Sequence, residues 1–270
     1  MTLRRPSWVA VLGLALAIGP AAAQRPVRSE WVLTGSRGGY CVWYLADPAI
    51  AATMVPEGSV LTPAKDAQDL HPALLQIIRD EPRFGAWIPG AFCLGFYDDV
   101  TVDGRVVAHA RPDRPIAFGT SSLDGSVPGT TDRQLLLTLF TDTKAIDRAA
   151  GQAGLDAAMA KVVLKGRGES DPTVSITVDN VLVSWSGHPS GMPSVGTTRS
   201  LSFGYVGSHD SRWHAELLAA PDSSQGLVGA LEVDGRKSLA KALKSSPIRA
   251  IGRAEYGGHA TLTFQRVTPP

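Results

Sequence analysis

The sequence has few cysteines and no long apolar run beyond its N-terminus. Only Cys41 and Cys93 occur among the 270 residues, and they do not form the C-x-x-C motif typical of redox or zinc sites. A helix that spans a bilayer needs about 20 consecutive apolar residues. No such stretch follows the N-terminal region, so the sequence predicts no membrane span once a signal peptide is removed.

A strong excess of one charge is also missing, as are the short motifs of common enzymes. The formal net charge is +1, which argues against a nucleic-acid partner bound through overall charge. The sequence contains no phosphate-binding G-x-x-x-x-G-K-[ST], no H-E-x-x-H and no G-x-S-x-G. It therefore predicts no cofactor, no metal site and no identifiable catalytic residue, and it favours a protein that is not an enzyme.

The N-terminus has the three parts of a secretory signal. Arg4 and Arg5 supply positive charge, Trp8 to Ile18 form a short apolar stretch, and the alanines at 21–23 precede Gln24 as a cleavage pattern. We predict a cleavable signal at residues 1–23 and a periplasmic or secreted protein; the alternative is a retained membrane anchor. Cleavage changes the net charge from +1 to −1, because the segment holds two arginines and no acid.

In an exported protein the two cysteines predict one disulfide, Cys41–Cys93. Each cysteine lies in a strand-like run, and a short helix at 69–80 is predicted between the two runs. The bridge would thus join two strands across a helical insertion. The alternative is a pair of buried free thiols.

Alternating apolar and polar residues dominate the rest of the chain. Val174, Ile176 and Val178 alternate with polar residues, and Asp179-Asn180 then forms a turn that predicts a hairpin. Residues 187–198, rich in Gly, Pro and Ser, are predicted to be a loop. The fold class is β-rich α+β, with antiparallel sheets (sandwich or barrel-like) and a few short helices. We predict a disulfide-containing half at 24–155 and an antiparallel half at 156–270, which could be one continuous domain.

The best candidate for binding is a basic stretch near the C-terminus. A short helix is predicted there, with lysines at helical spacing, and the basic character continues into the next strand. Its cationic residues are Arg236, Lys237, Lys241, Lys244, Arg249 and Arg253. They would suit a protein partner or an anionic envelope polymer; the alternative is an ordinary solvated helix face.

The best candidate for metal chemistry is the group His209, Asp210, His214 and Glu216. Imidazole and carboxylate are suitable zinc ligands, and His214 and Glu216 would point to one side of a strand. That side lies opposite Trp213, which favours a solvated polar face. A serine site near His188 is the other hydrolytic possibility.

Aromatic residues cluster in sequence around both cysteines: Tyr40, Trp43, Tyr44, Trp87, Phe92, Phe96 and Tyr97. Core packing beside the disulfide is the favoured interpretation, and an exposed binding platform is the alternative. From the whole sequence we predict an extracytoplasmic, non-catalytic binding or structural-interaction protein, with a subunit of an envelope complex as one form of it. The alternative is an exported hydrolase that uses the histidine–carboxylate group or a serine site.

Overall fold

A computed structural model describes residues 28–68, 70–128, 130, 132–165, 173–207, 211–251 and 254–267. The predicted signal at 1–23 lies outside these residues. None of the helices in the described ranges is long and apolar enough to cross a membrane.

The chain begins with strands interrupted by short helices. The strands up to residue 165 are β1 (Arg28–Arg37), β2 (Gly39–Ala46), β3 (Val60–Leu61), β4 (Ile88–Tyr97), β5 (Asp99–Val102), β6 (Arg105–His109), β7 (Ile116–Ser126), β8 (Gln134–Thr141), β9 (Ala157–Met159) and β10 (Lys161–Lys165). The helices among them are α1 (Pro48–Ala52), α2 (Pro72–Asp80), a 3₁₀-helix (Pro82–Ala86) and α3 (Lys144–Ala153).

The remaining described residues form longer strands and one helix. They are β11 (Thr173–Val178), β12 (Val181–Val195), β13 (Arg199–Val206), β14 (Arg212–Ala220), β15 (Ser223–Asp234), α4 (Ser238–Ser245), β16 (Arg249–Ile251) and β17 (Ala254–Val267). Most strand pairs are antiparallel, and β8 pairs in parallel with β9 and β13. The predicted β-rich α+β class with antiparallel sheets and a few short helices is confirmed.

Eight of these strands form a continuous series that returns to the strand where it began. β1 pairs with β17, which pairs with β14, and the series continues through β13, β8 and β7 to β4. The chain then turns from β4 into β5, which pairs with β1. The result is a closed ring of strands, an arrangement that leaves few backbone groups unpaired at sheet edges.

The interior of this ring is filled by large side chains from alternate strand positions. Trp31 is fully buried, and its ring centroid lies 6.0 Å from those of Phe118 and Phe264. Trp213 from β14 is also almost fully buried. Alternation of side chains along each strand places these residues inside and their neighbours outside.

A second hydrophobic core lies where another layer covers β2, β4, β7 and β8. This layer contains β11 and β12, which form the predicted hairpin around Asp179-Asn180, together with α1 and α4. Tyr40 and Trp185 connect the two layers through rings whose centroids are 4.4 Å apart. Leu243 of α4 is fully buried in the same core.

The predicted disulfide is present. Cys41 and Cys93 lie directly opposite each other on β2 and β4, with Cα atoms 4.1 Å apart and 52 positions apart in sequence. The chain between them holds α2, as predicted. In the chain-entropy model, closing a loop of this length stabilises a fold by about 4 kcal/mol.

One segment differs from its prediction. Residues 187–198 were expected to form a loop, but β12 continues to Val195 and pairs with β15 over nearly its whole length. The pairing is irregular between Ser190 and Ser194, where glycine and proline interrupt the strand. A long partner strand therefore overrides local turn preferences here. The division of the chain near residue 155 stays a prediction.

Candidate functional site

A cavity of about 340 Å³ opens at one end of the second core. Sites for small molecules typically have volumes of roughly 300–1,000 Å³ and mostly apolar walls. The residues that line this cavity are Thr53, Met54, Phe92, Ser121, Leu137, Thr138, Phe140, Val178, Asp179, Val181, Lys237, Ser238 and Leu239. Seven of these thirteen are apolar, so the cavity suits a small, partly apolar ligand.

The floor of the cavity is a row of side chains on three neighbouring strands. Phe92 on β4 lies opposite Ser121 on β7, and Ser121 lies opposite Thr138 on β8. Residues paired in this way project from the same face of a sheet. Phe140 lies two residues after Thr138, on the same face, and its ring stacks on Phe92 with centroids 5.1 Å apart.

Gly119 makes room for this floor. It lies opposite Phe140, and a Cβ atom at residue 119 would collide with the Phe140 ring and with the backbone oxygen of Cys93. Any larger side chain would push Phe140 away from Phe92. The glycine therefore allows the two stacked rings to close one side of the cavity.

The walls come from segments that are far apart in sequence. Met54 follows α1, Val178 and Val181 flank the β11–β12 turn, and Leu239 lies in the first turn of α4. A hydrogen bond of 2.8 Å between Thr53 Oγ1 and Ser238 Oγ links the end of α1 to the start of α4. The covering layer is thus fixed above the floor.

Polar groups occur at two levels of the cavity. Lys237 and Asp179 are exposed and lie at the mouth. Ser121 is 2 % exposed and Thr138 is half-buried at the floor. In the described part of the chain neither floor hydroxyl has a hydrogen-bond partner within the protein, so both are available to a ligand.

Metal binding has no support in the described residues. They contain no group of three or more histidine, cysteine or acidic side chains that could hold a metal ion. Of the predicted metal group, His209 and Asp210 lie outside the described residues. His214 Nε2 lies 3.2 Å from Glu216 Oε1, so these two side chains bond to each other.

His214 has a second carboxylate partner that sequence reasoning missed. Its Nδ1 lies 2.6 Å from Oδ1 of Asp132, a residue 82 positions away whose side chain is buried. Burial opposes protonation of the imidazole, but the hydrogen bonds to Glu216 and Asp132 outweigh it and raise the pKa of His214. The hydrogen bond between His214 and Asp132 joins strand β14 to the segment that precedes strand β8.

The basic residues predicted to form one binding surface have different surroundings in the structure. Lys237 reaches the cavity mouth, whereas Lys244 Nζ bonds to Asp234 Oδ1 at 3.3 Å and to the Gly235 carbonyl at 3.1 Å. The other described members, Arg236, Lys241 and Arg249, are exposed, and Arg253 lies outside the described residues. Docking of an anionic partner on this stretch stays a prediction.

The aromatic residues near the disulfide are core residues. Tyr44, Phe92 and Phe96 are buried, and the other four are half-buried. Trp43 stacks on His71 with ring centroids 4.6 Å apart. Burial also raises the pKa of Tyr40 to about 12. None of the seven is exposed, which favours packing over an open aromatic platform.

The floor hydroxyls were not among the sequence candidates. Ser121 and Thr138 belong to no catalytic motif. The one available signal was a polar residue among apolar residues at alternate positions of a predicted strand, as at Thr138 between Leu136 and Phe140. That signal is weak without knowledge of which strands are neighbours. The Ser186–Ser190 segment, which had suggested a serine site, is instead part of β12.

The similarity of this chain to known proteins is a similarity of fold. The acetoacetate decarboxylase of Legionella pneumophila covers 98% of this chain and is itself covered to 98%, with a TM-score of 0.52 at 12% identity. The chain has a fold similar to that of acetoacetate decarboxylase. An acetoacetate decarboxylase-like enzyme of Sphingomonas wittichii gives a TM-score of 0.48 at 7% identity. It covers 95% of this chain and is itself covered to 100%. No protein-family model matches the sequence. No curated protein matches it either.

This likeness corrects the functional prediction. We had expected a non-catalytic binding or structural-interaction protein, and that expectation is wrong, because nearly the whole chain adopts the fold of a named enzyme. The hydrolase alternative receives no support from the comparisons. The error came from treating the lack of short motifs as evidence against catalysis, although catalytic groups can come together from distant strands.

Proposed function

We propose that this protein is an enzyme that removes CO₂ from a small 3-oxo acid bound in the cavity beneath α4. The observation that carries the proposal is the cavity itself, with a cation at its mouth, apolar walls and two free hydroxyls at its floor. The name of the Legionella protein of similar fold indicates decarboxylation of acetoacetate, an acid of this class. We therefore take decarboxylation as the reaction to test first.

Lys237 would attract the carboxylate of the substrate. It is the one cation among the described lining residues, and it is exposed at the mouth. An exposed ion pair contributes only about 0–1 kcal/mol. A weak pair suits this reaction, because tight binding of the carboxylate in the ground state would oppose its departure as CO₂.

The test is turnover of short 3-oxo acids, followed as CO₂ release and as ketone formation by proton NMR. We expect the wild-type protein to convert at least one acid of this class. Lys237→Gln should raise KM about two- to fivefold and leave kcat nearly unchanged, since an exposed pair contributes mainly to binding. The matched control is Lys144→Gln, which also removes an exposed lysine at the start of a helix. Absence of turnover with every acid would refute the proposal.

We also propose that the enzyme works outside the cytoplasm, in the periplasm or after secretion. The Cys41–Cys93 bridge supports this location, since disulfides persist in oxidising compartments. The predicted signal at 1–23 supports it independently. N-terminal sequencing of the protein from its native cells should find Gln24 as the first residue. A mature chain that begins at Met1 and is recovered from the cytoplasm would contradict this part of the proposal.

A further inference from the structure

We infer that Ser121 and Thr138 bind the oxo oxygen of the substrate and stabilise the negative charge that develops on it as CO₂ leaves. This inference rests on the proposed function. It adds a subsite and a role for two residues that belong to no sequence motif. The two hydroxyls would act together as paired hydrogen-bond donors.

The positions of the two residues make a shared target possible. They are direct partners across β7 and β8, and both line the cavity floor. Opposite residues of an antiparallel pair have Cβ atoms about 4.5–5.5 Å apart. Two hydroxyls at that spacing can both reach one ligand oxygen. The register of the β7–β8 pair shifts immediately after Ser121, and pairing resumes with Ser122 opposite Leu136.

Both hydroxyls lack a partner within the protein, as judged from the described residues. The hydroxyl of Thr141, three residues further along β8, shows the usual situation, because it donates a hydrogen bond of 2.9 Å to the Ala117 carbonyl. Neither the Ser121 nor the Thr138 hydroxyl oxygen is among the fully enclosed polar atoms of the described residues, so each hydroxyl can bond to water or to a ligand in the cavity. A carbonyl oxygen is a suitable acceptor for two such donors.

The surroundings of the floor strengthen this interaction. Phe92, Leu137 and Phe140 border the hydroxyls, and the two phenylalanines are at most 3 % exposed. Hydrogen bonds aimed at a developing charge are worth more beside buried apolar side chains than in water. The amine at the mouth, on Lys237, lies on the exposed side of the cavity. The hydroxyl pair is therefore the group we assign to charge stabilisation.

The chemical step balances without a further reactant. The bond between the α-carbon and the carboxylate breaks, and CO₂ leaves without the electron pair. That pair forms a carbon–carbon double bond, while the carbonyl electrons move to the oxo oxygen, which becomes an enolate. The hydroxyls of Ser121 and Thr138 donate hydrogen bonds to this oxygen and keep their protons. A proton from water then adds to the α-carbon and gives the ketone, leaving hydroxide that combines with CO₂ as bicarbonate.

The kinetic test compares variants that lose a hydroxyl with variants that keep it. Ser121→Ala and Thr138→Val should each lower kcat about 100-fold, the usual effect of removing one donor to an oxyanion, and should raise KM by no more than about fivefold, the effect of one lost hydrogen bond to the bound substrate. Thr138→Ser retains the hydroxyl and should keep most of the activity. Ser122→Ala is the matched control, because Ser122 is a buried neighbour on β7 that does not line the cavity. An unchanged kcat in both hydroxyl-free variants overturns the inference.

A binding test separates this inference from the proposed function. 4-Oxopentanoate and pentanoate differ at the oxo group, and neither loses CO₂ readily. The wild-type protein should prefer the oxo acid, and Ser121→Ala should reduce that preference about fivefold, as expected for one hydrogen bond. The ¹³C resonance of a labelled oxo carbon should move downfield on binding and less so in the variant.

The two tests have distinct outcomes. Loss of both the preference and the shift in Ser121→Ala and Thr138→Val supports the subsite. A preference and shift that survive in both variants overturn it, even if the wild-type enzyme turns substrate over. If wild type shows the hydroxyl-dependent preference but no turnover of any 3-oxo acid, the proposed reaction and the charge-stabilising role both fail, and only a carbonyl-binding subsite stands.

Discussion

Replacing Asp124 by asparagine should make the stability of this fold much less dependent on pH. Asp124 lies on β7, directly opposite Gln134 on β8, and Gln134 Nε2 donates a hydrogen bond of 3.3 Å to Asp124 Oδ1. Burial raises the pKa of Asp124 from 3.8 to about 7, although the bond from Gln134 lowers it in part. The folded protein therefore holds this carboxyl proton over a range in which the unfolded chain has lost it.

The sign of the effect follows from proton binding. Because the folded-state pKa exceeds the unfolded one, the protonated carboxyl favours folding below about pH 4, and this contribution is lost as the pH rises toward 7. A shift of this size corresponds to roughly 4 kcal/mol at most. Asparagine is neutral at every pH and accepts the same hydrogen bond. We therefore expect Asp124→Asn to match wild type near pH 4 and to be up to about 4 kcal/mol more stable at pH 8.

Urea denaturation at several pH values from 4 to 8 measures this difference directly. The other titrating groups are shared by the two proteins, so subtracting the free energies of unfolding isolates Asp124. Asp113→Asn, which removes an exposed carboxylate, controls for the loss of one negative charge. A difference between Asp124→Asn and wild type that does not change with pH, or that has the opposite sign at pH 8, would refute the reasoning.

Three other predictions concern stability and pH. Replacing Cys41 and Cys93 together by alanine should lower the free energy of unfolding by about 4 kcal/mol, measured by urea denaturation; an unchanged midpoint would contradict a structural role for the bridge. His214→Gln should cost most stability below pH 6.5 and progressively less as the pH rises through the raised folded-state pKa, since only the imidazolium form can donate hydrogen bonds to both Asp132 and Glu216; a cost that grows with pH would show that the neutral form is favoured. Phe264→Ala removes a fully buried ring and should cost about 3–5 kcal/mol in the same assay; a cost below 1 kcal/mol would mean that the core collapses around the gap.

Local patterns in the sequence were sufficient to predict much of the sheet. The alternation at Val174, Ile176 and Val178 predicted β11, and Asp179-Asn180 predicted its turn, where both residues have positive φ. The compartment inferred from the N-terminus predicted the disulfide. These features depend on neighbours in sequence or on the redox environment, so no knowledge of the tertiary fold was needed.

The candidate site could not be predicted in this way, because long-range pairing creates it. Ser121 and Thr138 become neighbours only when β7 pairs with β8, and the cavity above them needs α4, more than 90 positions further along the chain. His214 likewise meets Asp132 across 82 positions. The continuation of β12 to Val195 also depends on its partner β15. Each of these outcomes is decided by which strands meet.

The pairing of β1 with β17, which closes the ring, has a consequence for how the chain folds. β1 pairs with β17 from Arg28↔Gln265 to Arg37↔Tyr256, so the first and last strands described are direct neighbours. Contacts between such distant parts of a chain have a high entropic cost of loop closure and are associated with slow folding. The ring cannot close until β17 is available, and until then β1 and β14 present open edges to other chains. A nascent or truncated chain that lacks β17 should therefore depend on chaperones and aggregate when they are absent.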